Sequence, residues 1–325
     1  MLQTTQVFSL QSGQFEEFAL KTFRFQAANC AVYRDFIAAL GKNPEKVHSL
    51  AEIPFLPIEF FKNKTIIAEG FEPQITFTSS GTTGMQQSKH HVAALDWYVQ
   101  SFLTAFTESY GNPNELTILA LLPAYQEREG SSLIYMVDEL LKRSGKPQSG
   151  YVLNDTEALY NTLLALKAAN EPTLLIGVTY ALLDFVETHQ IEFPELIVME
   201  TGGMKGRRKE MIREELHSQL CKGFGVSKIH SEYGMTELLS QGYSKGDGIF
   251  TTPSWMKILI RDTNDPFSFQ TFGRTGGINV IDLANQLSCS FIATQDLGKV
   301  YEDGTFEVLG RFDNSDIRGC NLLVQ

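Results

Sequence analysis

Between residues 92 and 231 the chain alternates strand-like and helical patterns, and nothing else in it constrains the fold as strongly. Short apolar runs suited to buried strands sit at Leu116–Leu122, Thr173–Val178, Glu195–Thr201 and Ser227–Ser231. Helical periodicity fills the intervals, near 92–109, 130–144, 155–170, 179–189 and 206–221. Strands that alternate with helices pair in parallel, because the crossover helix returns the chain to the same edge of the sheet. The spacing therefore predicts an α/β protein whose mainly parallel sheet is covered by helices on both faces. In the last helical stretch Ile212, Leu216 and Leu220 form one apolar stripe, leaving Arg207, Arg208, Lys209, Arg213 and Glu214 to water.

The flanks read differently. Phe15, Phe18, Ala19 and Phe23 recur at helical spacing, which predicts a helix over 14–29. The stretch from Ile53 to Ile58 is too apolar for a solvated linker and is expected to pack on the core. From about residue 250 helices give way to β segments at Met256–Arg261, Gly277–Leu283, Ser290–Thr294 and Thr305–Leu309. The expected organisation is a single core over 1–325, α/β to about 250 and β-rich over 251–325, with no internal repeats. A formal charge of −11 without a basic stripe argues against a nucleic-acid surface. No apolar run reaches the roughly 18–20 residues of a membrane span, and the N-terminus does not read as a signal peptide. The cysteines Cys30, Cys221, Cys289 and Cys320 are scattered without a C-x-x-C pair, which suits a reducing cytoplasm.

Chemistry concentrates in a few short blocks. Thr78, Ser79, Ser80, Gly81, Thr82, Thr83 and Gly84 follow a strand-like run at Gln74–Phe77. Glycine admits close backbone approach, while hydroxyls and free N–H groups are the donors a phosphate requires. No Gly-Lys-Ser/Thr follows as in a Walker loop, and by itself such a run is more often a solvated turn. Further on, Tyr233, Thr236 and Glu237 lie within the block Glu232–Glu237, Asp296 lies in Thr294–Gly298, and Arg311 lies in Gly310–Gly319. Singly these are ordinary: a half-buried tyrosine, a carboxylate capping a following helix, an aspartate in a turn. The adjacent His90 and His91 lack a third metal ligand and would point to opposite sides of an extended segment, so they read as structural.

In this order the four blocks resemble the adenylate-forming superfamily of acyl- and aryl-CoA ligases, firefly luciferase and peptide-synthetase adenylation domains. Within it the chain looks most like the acyl-protein synthetase of the bacterial bioluminescence fatty-acid reductase complex, on Ile53–Lys62, Pro123–Ser132 and the ending Arg318–Leu323. The resemblance implies an adenylate-forming N-terminal core that activates a carboxylic acid, expected to be fatty, with ATP and Mg²⁺. It implies that the loop 78–84 holds the β- and γ-phosphates and that Tyr233 stacks on adenine. Thr236 would donate to the α-phosphate, Glu237 would hold Mg²⁺, Asp296 the ribose hydroxyls, and Arg311 ribose or phosphate. Gly202 and Gly203 would let substrate lie against the backbone.

The acyl group would pass to a thiol, either Cys320 or that of a partner reductase or carrier. The alternatives are a ligase using free CoA, or a non-catalytic nucleotide-binding subunit of an acyl reductase complex. Two departures accompany the resemblance. Lys89 lies five residues after Gly84, where relatives have lysine at three. The chain also ends at Gln325, where relatives continue into a lid, so a lidless core is expected.

Overall fold

The computed structural model describes residues 3–11, 13–79, 86–122, 130–152, 155–202 and 211–312. A twelve-stranded mixed sheet runs through it. One half is parallel, with Gly150–Tyr151, Thr117–Leu121, Thr173–Gly177, Ile197–Glu200 and His230–Tyr233 side by side in that order. Thr117–Leu121 and Thr173–Gly177 are buried along their whole length, as strands covered on both faces must be. The helices that cover them are Leu95–Tyr110, Ser132–Ser144, Thr156–Ala168, Thr179–Thr188 and Arg213–Phe224. Local chemistry fixes their ends: Ser131 accepts from the Ile134 N–H and Asp155 from the Ala158 N–H. Gly225 closes the last helix at φ +65°, where a side chain would strike the backbone of Glu192.

The sheet changes character at one strand. His230–Tyr233 is parallel to Ile197–Glu200 on one side and antiparallel to Gly242–Ser244 on the other. Beyond it Ile249–Thr251, Phe306–Arg311, Phe291–Val300, Gly276–Asp282 and Met256–Arg261 continue antiparallel. The α/β class read from the sequence is the class observed, and the β-rich C-terminal strands belong to the same sheet as the parallel ones. The apolar stretch near 55 packs as expected: Leu56–Pro57 adds alongside Phe291–Val300, and Ile53, Phe55 and Leu56 are buried.

A second sheet has only two strands. Ile75–Thr78 and Lys89–Val92 pair antiparallel and join no other strand among the described residues. This hairpin docks by side chains, with Phe77 buried against Tyr98 and Tyr135 at ring distances of 5.2 and 5.8 Å.

Two sequence expectations are corrected. Leu216 and Leu220 are buried, but Ile212 precedes the first helical turn and is 68% exposed, so it is not part of their stripe. Arg213 does not face water: it donates to the Val308 carbonyl at 2.9 Å and covers the Phe250 ring. Its partners come from strands more than thirty residues away, beyond the reach of helical periodicity. Arg207, Arg208 and Lys209 lie outside the described residues.

Candidate active site

The antiparallel register builds the first part of the site. Asp296 and Arg311 face each other across Phe291–Val300 and Phe306–Arg311. Arg311 Nε donates to Asp296 Oδ1 at 3.1 Å, and the Tyr233 hydroxyl donates to Oδ2 at 2.8 Å. Asp296 is buried, whereas the Arg311 side chain is 74% exposed. Burial, and then the Asp296 charge, pushes the Tyr233 phenol well up, so it stays a donor at neutral pH. Beside this trio Arg261 is fixed by the Ile278 carbonyl and Asn279 Oδ1, both at 2.8 Å.

The second part is the turn after His230–Tyr233. Glu237 is buried within that turn, and no helix begins there, which removes the helix-cap alternative. Burial pushes the Glu237 carboxyl up, and the Ser88 hydroxyl opposes that shift. The charges of Arg311 and Asp296 also reach it, so Glu237, Asp296 and Arg311 share one electrostatic neighbourhood. The backbone of the turn is held from outside. His90 Nδ1 meets the Thr236 carbonyl at 2.8 Å, and Asn285 Nδ2 donates to the Glu237 carbonyl at 2.8 Å. Two residues on, Asp282 accepts from the Leu239 and Ser240 N–H groups at 2.8 and 3.0 Å, from the Ala284 N–H at 3.1 Å and from the Ser240 hydroxyl at 2.6 Å.

The third part is the hairpin. The Thr78 N–H donates to the Gly130 carbonyl at 2.7 Å, and a Cβ on Gly130 would lie 2.9 Å from Thr78 Oγ1. The close approach explains why glycine stands there, at φ +85°. Ser79 N–H donates to the Ser88 carbonyl at 3.0 Å and Ser88 N–H to Ser79 Oγ at 2.9 Å, so these serines flank the segment between the strands. Ser80, Gly81, Thr82, Thr83 and Gly84 lie outside the described residues, as do Gly203 and Cys320.

Gly202 sits at the carboxyl end of the neighbouring strand, at φ +73° with open space where a side chain would be. Its N–H donates to Glu200 Oε2 at 2.6 Å. Burial opposes ionisation of Glu200, but His217, Ser231 and the Gly202 N–H outweigh it and hold the carboxyl below its ordinary range. The next strand carries Glu232, which burial and then the Glu200 charge push up to about 8. Tyr233, Gly202 and Glu237 thus gather at or just beyond the carboxyl ends of parallel strands, where open α/β sheets bind ligands.

The structure therefore brings Tyr233, Asp296 and Arg311 into contact and sets Glu237 and Thr236 against the hairpin. Sequence reasoning missed Glu200, Arg261, Asp282 and Asn285, which carry no motif, and gave no role to Glu232, although it opens the block Glu232–Glu237. The histidine pair does alternate: His90 is buried, while His91 is half-buried with Nδ1 2.9 Å from Thr76 Oγ1. Among the described residues no group of three or more His, Cys, Asp or Glu forms a metal site. Cys30, Cys221 and Cys289 are free thiols that burial pushes up in pKa. A cavity of about 470 Å³ beside Lys228, Gln241, Tyr243 and Lys245 is lined by none of the candidate site residues.

No protein-family model matches the sequence, and no curated protein matches it. Solved structures do. 2-Hydroxyisobutyryl-CoA ligase in complex with 2-HIB-AMP and CoA superposes with a TM-score of 0.69 at 14% identity, over 95% of this chain and 71% of the ligase. ATP-bound MatB from Rhodopseudomonas palustris gives 0.55 at 18% identity, over 86% of this chain and 58% of MatB. The chain shares the fold of these two proteins. At these identities the likeness speaks for architecture alone. Among the described residues no helix is long and apolar enough to cross a membrane.

Proposed function

We propose that this protein activates a carboxylic acid with ATP as an acyl-adenylate and passes the acyl group to a thiol. The observation that carries the reading is the buried Asp296, gripped by Tyr233 and Arg311, in one electrostatic neighbourhood with Glu237 and the serine-flanked hairpin. Forming an acyl-adenylate brings a carboxylate against a triphosphate, so the protein's work is alignment and charge neutralisation. Asp296 accepts from the ribose hydroxyls, Tyr233 borders the adenine, and Arg311 and Thr236 donate to phosphate oxygens. Thr78, Ser79 and the run Ser80–Gly84 hold the β- and γ-phosphates, and Gly202 with Gly203 opens the backbone to substrate.

Mg²⁺ fits this donor set, because a hard cation shared by one carboxylate and phosphate oxygens matches Glu237 beside the hairpin. When bound it supplies charge neutralisation on the triphosphate. The binding of 2-HIB-AMP and CoA by 2-hydroxyisobutyryl-CoA ligase, and of ATP by MatB, supports the nucleotide reading on a shared fold. The acid is a fatty acid and the acceptor is Cys320 or a partner's thiol, with CoA as the competing acceptor.

The test is exchange of labelled pyrophosphate into ATP with a panel of fatty acids and Mg²⁺. Acid-dependent exchange is expected, and none with any acid would overturn the reading. Labelled fatty acid should then attach to the protein and fail to attach to Cys320→Ser. A free thioester formed with CoA, without protein labelling, would instead make CoA the acceptor.

A further inference from the structure

The hairpin poses a physical problem. Its two strands pair only with each other among the described residues, so no main-chain ladder fixes it to the large sheet. Yet a triphosphate held beside Thr78 and Ser79 and a ribose held at Asp296 must keep a fixed separation, and misplacement by about 1 Å can cost a hundredfold in rate. Apolar contacts such as that of Phe77 with Tyr98 and Tyr135 tolerate sliding.

Besides the Ser88 contact with Glu237, a second buried side chain makes a directional bond from the hairpin to the turn that carries Thr236 and Glu237. His90 is fully buried, with Nδ1 2.8 Å from the Thr236 carbonyl oxygen and Nε2 3.0 Å from Asn285 Oδ1. A carbonyl only accepts, so Nδ1 carries the proton. Asn285 cannot be turned over, because its Nδ2 already donates to the Glu237 and Cys289 carbonyls at 2.8 and 3.0 Å. One imidazole and one carboxamide therefore pin two successive carbonyls, those of Thr236 and Glu237. Phe61 closes the other side of the ring, edge-on at 5.7 Å.

We propose that His90 is a positioning residue that locks the hairpin to the Thr236–Glu237 turn and so sets the spacing of the nucleotide site. The proposal rests on the nucleotide reading above. His90 touches neither nucleotide nor acid; it acts through the orientation of the two peptides it and Asn285 hold. Displacement of that turn should weaken the grip on the triphosphate while leaving acid binding nearly unchanged.

The experiment is calorimetric titration of the full chain with Mg²⁺ and ATP, using wild type, His90→Phe, His90→Gln, Glu237→Gln and the double variant His90→Gln/Glu237→Gln. Phenylalanine keeps the ring against Phe61 and removes both nitrogens, while glutamine keeps one donor for the Thr236 carbonyl. Affinity is expected to fall about tenfold in His90→Phe and to recover to within about threefold in His90→Gln, corresponding to loss of one buried hydrogen bond. If His90→Phe does not fold, the cycle of His90→Gln with Glu237→Gln decides. A positioning role makes the two losses non-additive, whereas additive losses overturn the proposal. Equal affinity in wild type and His90→Phe also overturns it. Failure of wild type itself to bind ATP would instead bring down the nucleotide reading, a distinguishable result.

Discussion

The wall around Asp296 and the hairpin around Ser79 face the same proposed ligand but are built in opposite ways. The wall grows from the twelve-stranded sheet: Asp296, Arg311 and Tyr233 stand on three of its strands, register pairs the first two, and a hydrogen bond ties Tyr233 to Asp296. The hairpin is a separate two-stranded piece, tied to the body by Phe77, His90 and the Ser88 contact with Glu237. A sheet-borne trio is pre-organised and should define orientation. A side-chain-tethered hairpin can adjust, and its grip depends on a few replaceable groups. Recognition of the nucleoside and recognition of the phosphates should therefore respond differently to mutation.

The largest effect should come from beneath both regions. Asp282 accepts four hydrogen bonds that hold residues 239, 240 and 284 and carries no expected ligand contact. Asp282→Ala leaves those donors unpaired in the core and should cost about 3–5 kcal/mol, read as a lower urea midpoint. A variant as stable as wild type would show that the turn does not need this anchor. Next, Asp296→Asn should weaken ATP binding about ten- to a hundredfold, since a charged acceptor is worth about 1.5–3 kcal/mol. If pyrophosphate binding alone fell by the same factor, the division between wall and hairpin would be wrong.

Acid should act on the sheet-borne region through a buried histidine. Burial, helped by the charges of Lys228 and Lys245, pushes His230, on the strand that carries Tyr233, from 6.5 down to about 4. Its ring stays neutral in the folded chain while the unfolded chain takes up a proton below about 6.5. Folding free energy should therefore be complete above that pH and fall as pH drops toward 4, by up to about 1.4 kcal/mol per pH unit. Urea titrations of wild type and His230→Gln should differ in their pH dependence across this window; identical pH dependence would remove His230 from the account. The smallest effect is expected from Tyr233→Phe, which deletes one bond to Asp296 and should cost about 1 kcal/mol, roughly fivefold in nucleotide affinity.

Much of this architecture was legible because it is periodic. Thr173–Gly177 and Met256–Arg261 announce themselves as apolar or alternating runs bounded by turn residues, and Phe15–Asn29 by its spacing of phenylalanines. The strands Gly242–Ser244 and Ile249–Thr251 were missed because three residues carry no period. In the site, Tyr233, Asp296 and Arg311 were nameable from their motifs, but their mutual contact depends on the register that pairs Asp296 with Arg311 and on a side-chain bond from Tyr233, on a strand not paired with either. His90 shows the same limit: alternation along an extended strand gives that the two histidines face opposite sides, and neither which is buried nor that it reaches the Thr236 carbonyl. Ile212 marks the opposite error, a residue with the right spacing that falls just before the helix starts.

Hydrogen–deuterium exchange with and without Mg²⁺ and ATP tests the central claim most directly, because it reports both regions at once. Protection should rise together in Ile75–Thr78, Lys89–Val92 and the segments carrying Tyr233 and Asp296. Unchanged exchange in either the hairpin or the Asp296 wall, with ATP present at saturating concentration, would contradict a nucleotide held between them.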